Sequence, residues 1–335
     1  MKITLPIFDD FHIHLRNDER MPIATKQLRT GGVSRGIIMP NIVPKPVTTA
    51  SDFKAYKERL QQVEPNFDYY GAISLSTKTT EQEVKDAVNS DVLIGKQYPA
   101  GVTTNSENGV TDISQMYSVY EYMEEHGLPL SFHGELPKVS LLEAERAFLP
   151  IIPQLVKRFP KLRIILEHVS TADAVNTILD APDHVVAGVT VQHLLFTIQD
   201  VIGSRVRPHN FCMPIVKTEA DRQAIIDVVK SGNSKFFFGS DSAPHFRQTK
   251  ECALGAAGVF TTPIIAPMLA SIFEKNDMLD QLENFTSKFG ADFYKLPRNS
   301  ETITLSNEES WMIPEEYDNI VTIMAGTKLN WKLLK

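Results

Sequence analysis

Apolar and β-branched residues gather along the chain in eight short runs separated by charged, amphipathic stretches. The runs are IFDDFHIHL (7–15), VSRGIIMP (33–40), DYYGAISL (68–75), VLIGKQYP (92–99), PLSFHGE (129–135), LRIILEHV (162–169), VVAGVTVQHL (185–194) and KFFFGSDS (235–242). Runs of this length bounded by polar sequence read as strands. From the middle of the first to the middle of the last is about 225 residues, about 32 per step, the size of a strand–helix–strand unit. Apolar residues at helical spacing fill 51–63, 112–126 and 218–231, which predicts helices covering the sheet. Thr80 with Glu83, and Ser140 with Glu143, have capping-box spacing, and Gly127 and Gly232 stand where a glycine would end a helix. Eight strands alternating with helices predict an α/β fold, a closed (β/α)8 TIM barrel. The structural rival, an open doubly wound sheet, would normally show a glycine-rich phosphate turn after its first strand, and no GxGxxG occurs. From about 296 the sequence becomes mixed polar and aromatic, which reads as a short C-terminal extension packed on a single barrel domain spanning 1–335.

Composition narrows the class of partner. The 34 basic and 41 acidic residues give a net charge of -7, which argues against a nucleic-acid binder and for a small-molecule substrate. Two cysteines, Cys212 and Cys252, cannot form a disulfide framework, and Asp9 and Asp10 interrupt the first apolar run before a signal peptide could form. A cytoplasmic location is therefore expected. The 22 residues from Cys252 to Phe273 carry no charge and are long enough to span a bilayer. Gly255, Gly258, Pro263 and Pro267 would break such a helix, so the expectation is a buried loop and helix, with no membrane contact.

The chemistry is concentrated at the strand ends. Of nine histidines, His12 and His14 lie two apart on the first strand, so both face one way with Cα atoms about 7 Å apart. His133 ends the fifth run, His168 the sixth, Asp241 the eighth and Lys96 the fourth. Any one of these alone reads as an ordinary hydrogen-bonded or surface residue. Their shared register at the C-terminal ends of five strands is where barrel active sites are built, and it points to a metal centre. Lys96 there must change its charge, because an ammonium is repelled by metal cations and costly to bury. With its pKa lowered from about 10.4, the neutral amine could add carbon dioxide and become a carbamate, an oxygen ligand able to bridge two metals. Imidazole with hard oxygen ligands suits Zn²⁺, with Mn²⁺ or Co²⁺ as substitutes.

The motifs FHIHLR, MPN, GKQYPAGVTTNSENGVT, FHGE, EHVSTADA, RPHNFCMPIVK and GSDSAPH, in this order over roughly residues 7–260, resemble those of the dihydroorotases of compact bacterial type, in the amidohydrolase superfamily. The resemblance implies a zinc-dependent cyclic amidohydrolase that interconverts N-carbamoyl-L-aspartate and L-dihydroorotate in pyrimidine biosynthesis, as a homodimer. It implies that His12, His14 and Asp241 hold one zinc ion, that His133 and His168 hold a second, and that N6-carboxylated Lys96 and a hydroxide bridge them. It makes Asp241 the catalytic proton shuttle as well. Arg16, Asn41 and His245 match the positions that hold the substrate carboxylate, and Met213 and Ala257 match ring-contacting positions. Thr103 and Thr104 fall in a loop expected to close over the substrate. A hydantoinase or dihydropyrimidinase would share the metal ligands without needing Arg16, Asn41 and His245. A non-catalytic dihydroorotase-like scaffold would be expected to have lost ligands, and all six are present.

Overall fold

The eight runs are eight strands. A computed structural model of the chain describes residues 1–99, 110 and 112–334. After a first strand β1 (Lys2–Pro6), it places β2 (Phe8–Ile13), β3 (Val33–Ile38), β4 (Asp68–Ser74), β5 (Val92–Gln97), β6 (Leu130–Phe132), β7 (Ile164–Leu166), β8 (Val185–Val189) and β9 (Phe236–Phe238) in one parallel sheet, in chain order. Helices return the chain between strands, and the sheet curls into a (β/α)8 barrel whose ends meet through a parallel bridge between Ile13 and Ser242. Strands buried on both faces explain why the runs are almost continuously apolar. Phe8, Val33, Ile38 and their counterparts face the helices. Phe11, Ile37, Met39, Ala72, Ile94, Ile165, Val186 and Phe237 fill the interior, with Tyr294 of the helix Phe289–Tyr294 packed on Phe11 and Phe237. That packed interior is a floor beneath the strand ends.

The helices expected over 51–63, 112–126 and 218–231 are Ala50–Val63, a 3₁₀ turn Ile113–Met116 running into Tyr117–His126, and Glu219–Lys230. The Thr80–Glu83 box caps Glu81–Val88, and Gly127 (φ 77°) and Gly232 (φ 70°) follow helix ends in the left-handed conformation. Ser140 and Glu143 form no capping box. Glu143 N donates to the Ser140 carbonyl in a turn and the helix starts at Ala144, because a spacing of three closes a β-turn as readily as it caps a helix. Boxes at Thr49–Asp52 and Thr218–Asp221 use the shorter aspartate in place of glutamate.

The stretch after 296 does not pack alone. β10 (Thr302–Ser306) pairs antiparallel with β1 and with β13 (Lys332–Leu334), while β11 (Trp311–Met312) pairs with β12 (Lys328–Leu329). Arg35 fastens this region to the barrel, donating two hydrogen bonds to the buried Asp9 carboxylate (2.6 and 2.8 Å) and one to the Pro297 carbonyl (2.5 Å). The uncharged 252–273 stretch is a loop, a 3₁₀ turn and the start of the buried helix Ile265–Lys275. Among the described residues no helix is long and apolar enough to cross a membrane.

Candidate active site

The site forms at the seam where the barrel closes. Past the regular strands, Asp241 N donates to the His12 carbonyl (2.8 Å) and His14 N donates to the Ser242 carbonyl (3.0 Å). The buried Asp10 carboxylate completes the seam, accepting from Ser240 N at 2.8 Å. These bonds bring His12 of β2 and His14, just past its end, against Asp241. Phe11 faces the barrel interior and its neighbour His12 faces the site. Successive strand residues normally face opposite ways, and a register shift between Asp10 and Ile13 in the β2–β3 ladder permits the exception. Glycine at 239 makes the room, since a Cβ there would lie 2.8 Å from His12 Cβ.

Three site residues hold left-handed backbone conformations: Arg16 (φ 64°), His168 (φ 42°) and Asp241 (φ 48°). Non-glycine residues keep such angles where their surroundings over-determine them, and they concentrate at functional sites. At His168 the turn lets two adjacent residues face one partner. Glu167 Oε2 lies 3.1 Å from His12 Nδ1, and the His168 ring centroid is 5.2 Å from that of His12. The His133 ring stands 4.6 Å from His168, and the His14 ring 5.4 Å from His12, so four imidazoles form one row.

His14 Nε2 is 3.0 Å and His12 Nε2 3.4 Å from Asp241 Oδ1, and these three residues each offer a ligand atom within 4.8 Å of the others. Ligand atoms around a tetrahedral Zn²⁺, with bonds of about 2.0–2.2 Å, stand about 3.3–3.5 Å apart, so the donor set fits that ion. Burial pushes His14 down to about 4. Burial, with the charges of His133, Lys96 and His12, also holds His168 well below the usual imidazole value. Both are neutral at pH 7, the state a metal ligand requires. For Asp241 burial opposes the charge, but the hydrogen bond from His14 and the nearby histidines outweigh it and hold the carboxyl at about 2. Among the described residues His168 Nδ1 and Lys96 Nζ are buried without a hydrogen-bond partner, as groups reserved for an ion would be.

Lys96 is fully buried, and burial lowers its pKa to about 8 although the Glu167 and Asp241 charges raise it. Its chain position follows from the pleat, with Ile94 in the floor and Tyr98 in the cavity wall on the same face of β5 and its continuation. The cavity measures about 370 Å³ and is lined by His12, His14, His133, His168 and Asp241 together with Arg16, Asn41, Met213 and Ala257. His245 stands behind Arg16, with Arg16 Nη2 donating to His245 Nε2 at 3.0 Å. Burial and the Arg16 charge push His245 to about 2, so it accepts as a neutral ring. Arg16 is buried and, among the described residues, pairs with no carboxylate. A buried guanidinium at a cavity wall calls for an anion in that cavity. Thr103 and Thr104 lie outside the described residues.

The amidohydrolase family profile matches residues 79–200. A dihydroorotase from Marinomonas sp. (strain MWYL1) is 40% identical, with 99% of each chain covered. The chain belongs to the dihydroorotase family. The crystal structure of dihydroorotase in complex with 5-fluoroorotic acid from Saccharomyces cerevisiae matches with a TM-score of 0.93 at 35% identity, covering 99% of this chain and 98% of that one. L-hydantoinase (dihydropyrimidinase) from Arthrobacter aurescens matches with a TM-score of 0.85 at 16% identity, over 99% of this chain and 83% of that one, a likeness of fold alone.

In this chain three buried carboxylates contact ligand-type residues that the strand-end pattern singled out. Glu135 Oε2 is 2.7 Å from His133 Nε2, Glu167 faces His12 while accepting from Ser131 Oγ at 2.6 Å, and Asp10 accepts from His12 N at 3.2 Å. Carboxylates behind ligating imidazoles fix the tautomer and aim the ring. FHGE and EHV contain two of them beside the histidines, the one signal that sequence offered. Glu135→Gln and Glu167→Gln should each weaken zinc binding about 10- to 100-fold in chelator competition while leaving the fold intact. Unchanged affinity would show that these carboxylates do not support the site.

Proposed function

We propose that the chain catalyses the reversible interconversion of N-carbamoyl-L-aspartate and L-dihydroorotate plus water, a step of pyrimidine biosynthesis, at a centre of two zinc ions. The observation that carries this reading is the buried Arg16, paired with no carboxylate among the described residues, in the wall of the same cavity as His12, His14 and Asp241. His12, His14 and Asp241 would hold one ion, His133 and His168 the other, and Lys96, carboxylated on Nζ, would join them. Zinc bound there supplies Lewis-acid polarisation and lowers the pKa of a water molecule.

The remaining work belongs to the chain. Arg16 presents a planar fork to the substrate carboxylate, with Asn41 in the same wall and His245 bracing the guanidinium from behind. Backbone groups at Met213 and Ala257 orient the ring. In the hydrolytic direction Asp241 accepts the proton of the attacking water and passes it to the departing ring nitrogen, and in synthesis it returns that proton. Thr103 and Thr104 would close over the bound substrate. Residues 1–335 are read as one domain, and the active unit as a cytoplasmic homodimer, the assembly that the family resemblance implies.

Purified protein should turn over L-dihydroorotate and leave hydantoin, which has no carboxylate, essentially untouched, as followed by ultraviolet absorbance. Equal turnover of both would overturn the reading in favour of a hydantoinase. Arg16→Met should lower kcat/KM for L-dihydroorotate about 10²-fold, the value of a lost charge-assisted pair, with bound zinc unchanged. A loss of less than about twofold would remove Arg16 from the carboxylate site.

A further inference from the structure

Two loops supply the ring-facing wall of the cavity, and one buried cation joins them. Lys250 ends the short helix Arg247–Lys250, is 4% exposed, and points its ammonium into backbone. Its Nζ donates to the carbonyls of Phe211 (3.2 Å), Ala256 (3.0 Å) and Gly258. Three donors meet three acceptors, and among the described residues no carboxylate shares the ammonium. Burial lowers its pKa to about 8, so the charged form persists at neutral pH.

We propose that Lys250 is a positioning residue for substrate binding, a staple that holds the segments around Met213 and Ala257 as one wall. This rests on the functional reading above. The backbone pattern supports it. Ala256 N donates to the Thr249 carbonyl and Gly258 N to the Phe211 carbonyl, both at 2.9 Å, so residues 256 and 258 turn their polar groups toward Lys250 and the 211 segment. Ala257, held between them, lines the cavity. Phe211, Met213, Gly255 and Gly258 line it too, so the staple fixes a wall and not a single atom. Three carbonyl dipoles aimed at one point repel one another unless a cation sits between them. Neither an apolar residue nor a planar guanidinium can serve three converging carbonyls in this way.

The test is steady-state kinetics of zinc-loaded Lys250→Met and Lys250→Arg with L-dihydroorotate, together with amide hydrogen exchange. Lys250→Met should raise KM at least about tenfold with kcat within about threefold of wild type, since about 1.4 kcal/mol of lost binding is tenfold. Zinc content should be unchanged, and the Ala256 and Gly258 amides should exchange faster. Should Lys250→Met fail to fold, Lys250→Arg carries the same expectation at smaller size. A KM within twofold of wild type, or a fall in kcat at unchanged KM, overturns the proposal. Wild-type protein inactive toward L-dihydroorotate would overturn the functional reading instead, and unchanged exchange of the two amides in the variant would then dispose of the staple separately.

Discussion

Asp241→Asn should abolish turnover while leaving the barrel folded, with kcat down about 10³-fold, the scale of a lost general acid–base group. The substitution is close to isosteric, and asparagine tolerates the left-handed conformation that Asp241 adopts at φ 48°. The seam bond from Asp241 N to the His12 carbonyl is backbone and survives. What changes is the carboxylate that His12 and His14 both approach, held ionised well below neutral pH. A neutral amide can neither take a proton from water nor return one to the ring nitrogen, and it is a poorer ligand. Circular dichroism and thermal unfolding close to wild type, alongside lost turnover, are the expected pair of results. Near-normal kcat would contradict both roles assigned to Asp241.

Lys96→Ala should lower activity about 10³-fold and bound zinc with it, for a different reason. Lys96 Nζ is wholly enclosed and, among the described residues, has no hydrogen-bond partner, though it is faced by the Glu167 and Asp241 charges. An ammonium whose buried donors are all unused gains little stability where it stands, so a structural role explains it poorly. Conversion to a carbamate, as proposed above, would replace a buried cation with an anionic ligand, and burial, which lowers the pKa, increases the share of neutral amine able to react. Removing the side chain leaves a cavity of carboxylate size. Acetate or propionate should enter it and restore part of the activity, in proportion to concentration. Two full zinc equivalents in the unrescued variant, by metal analysis, would contradict a bridging role.

Much of this was legible because the barrel repeats one simple pattern. A strand buried on both faces is a run of apolar residues, and a polar residue that ends such a run is conspicuous, which is how His133, His168 and Lys96 stood out. The closure of the barrel was less visible. Nothing local in IFDDFHIHL says that its end will bond to GSDS, and the register shift that turns both Phe11 and His12 inward arises only when β2 meets β3. The supporting carboxylates were hidden for a related reason. Glu135 and Glu167 follow or precede a histidine on segments whose alternation ends at the strand tip, so the direction they face is set by the backbone turn, at His168 a left-handed one. β1 escaped notice because it is only half buried and becomes a strand by pairing with β10, some 300 residues away. Lys250 ends a four-residue helix, and only the return of the 255–259 loop encloses it.

In the proposed reaction a metal centre built from His12, His14, Lys96, His133, His168 and Asp241 performs the chemistry on a dihydroorotate-type substrate. The most direct test follows L-dihydroorotate turnover as zinc is stripped by a chelator and then returned, with metal content measured at each stage. Activity should fall in step with bound zinc and recover as about two equivalents per chain are restored. Full turnover by protein shown to contain no metal would contradict the claim.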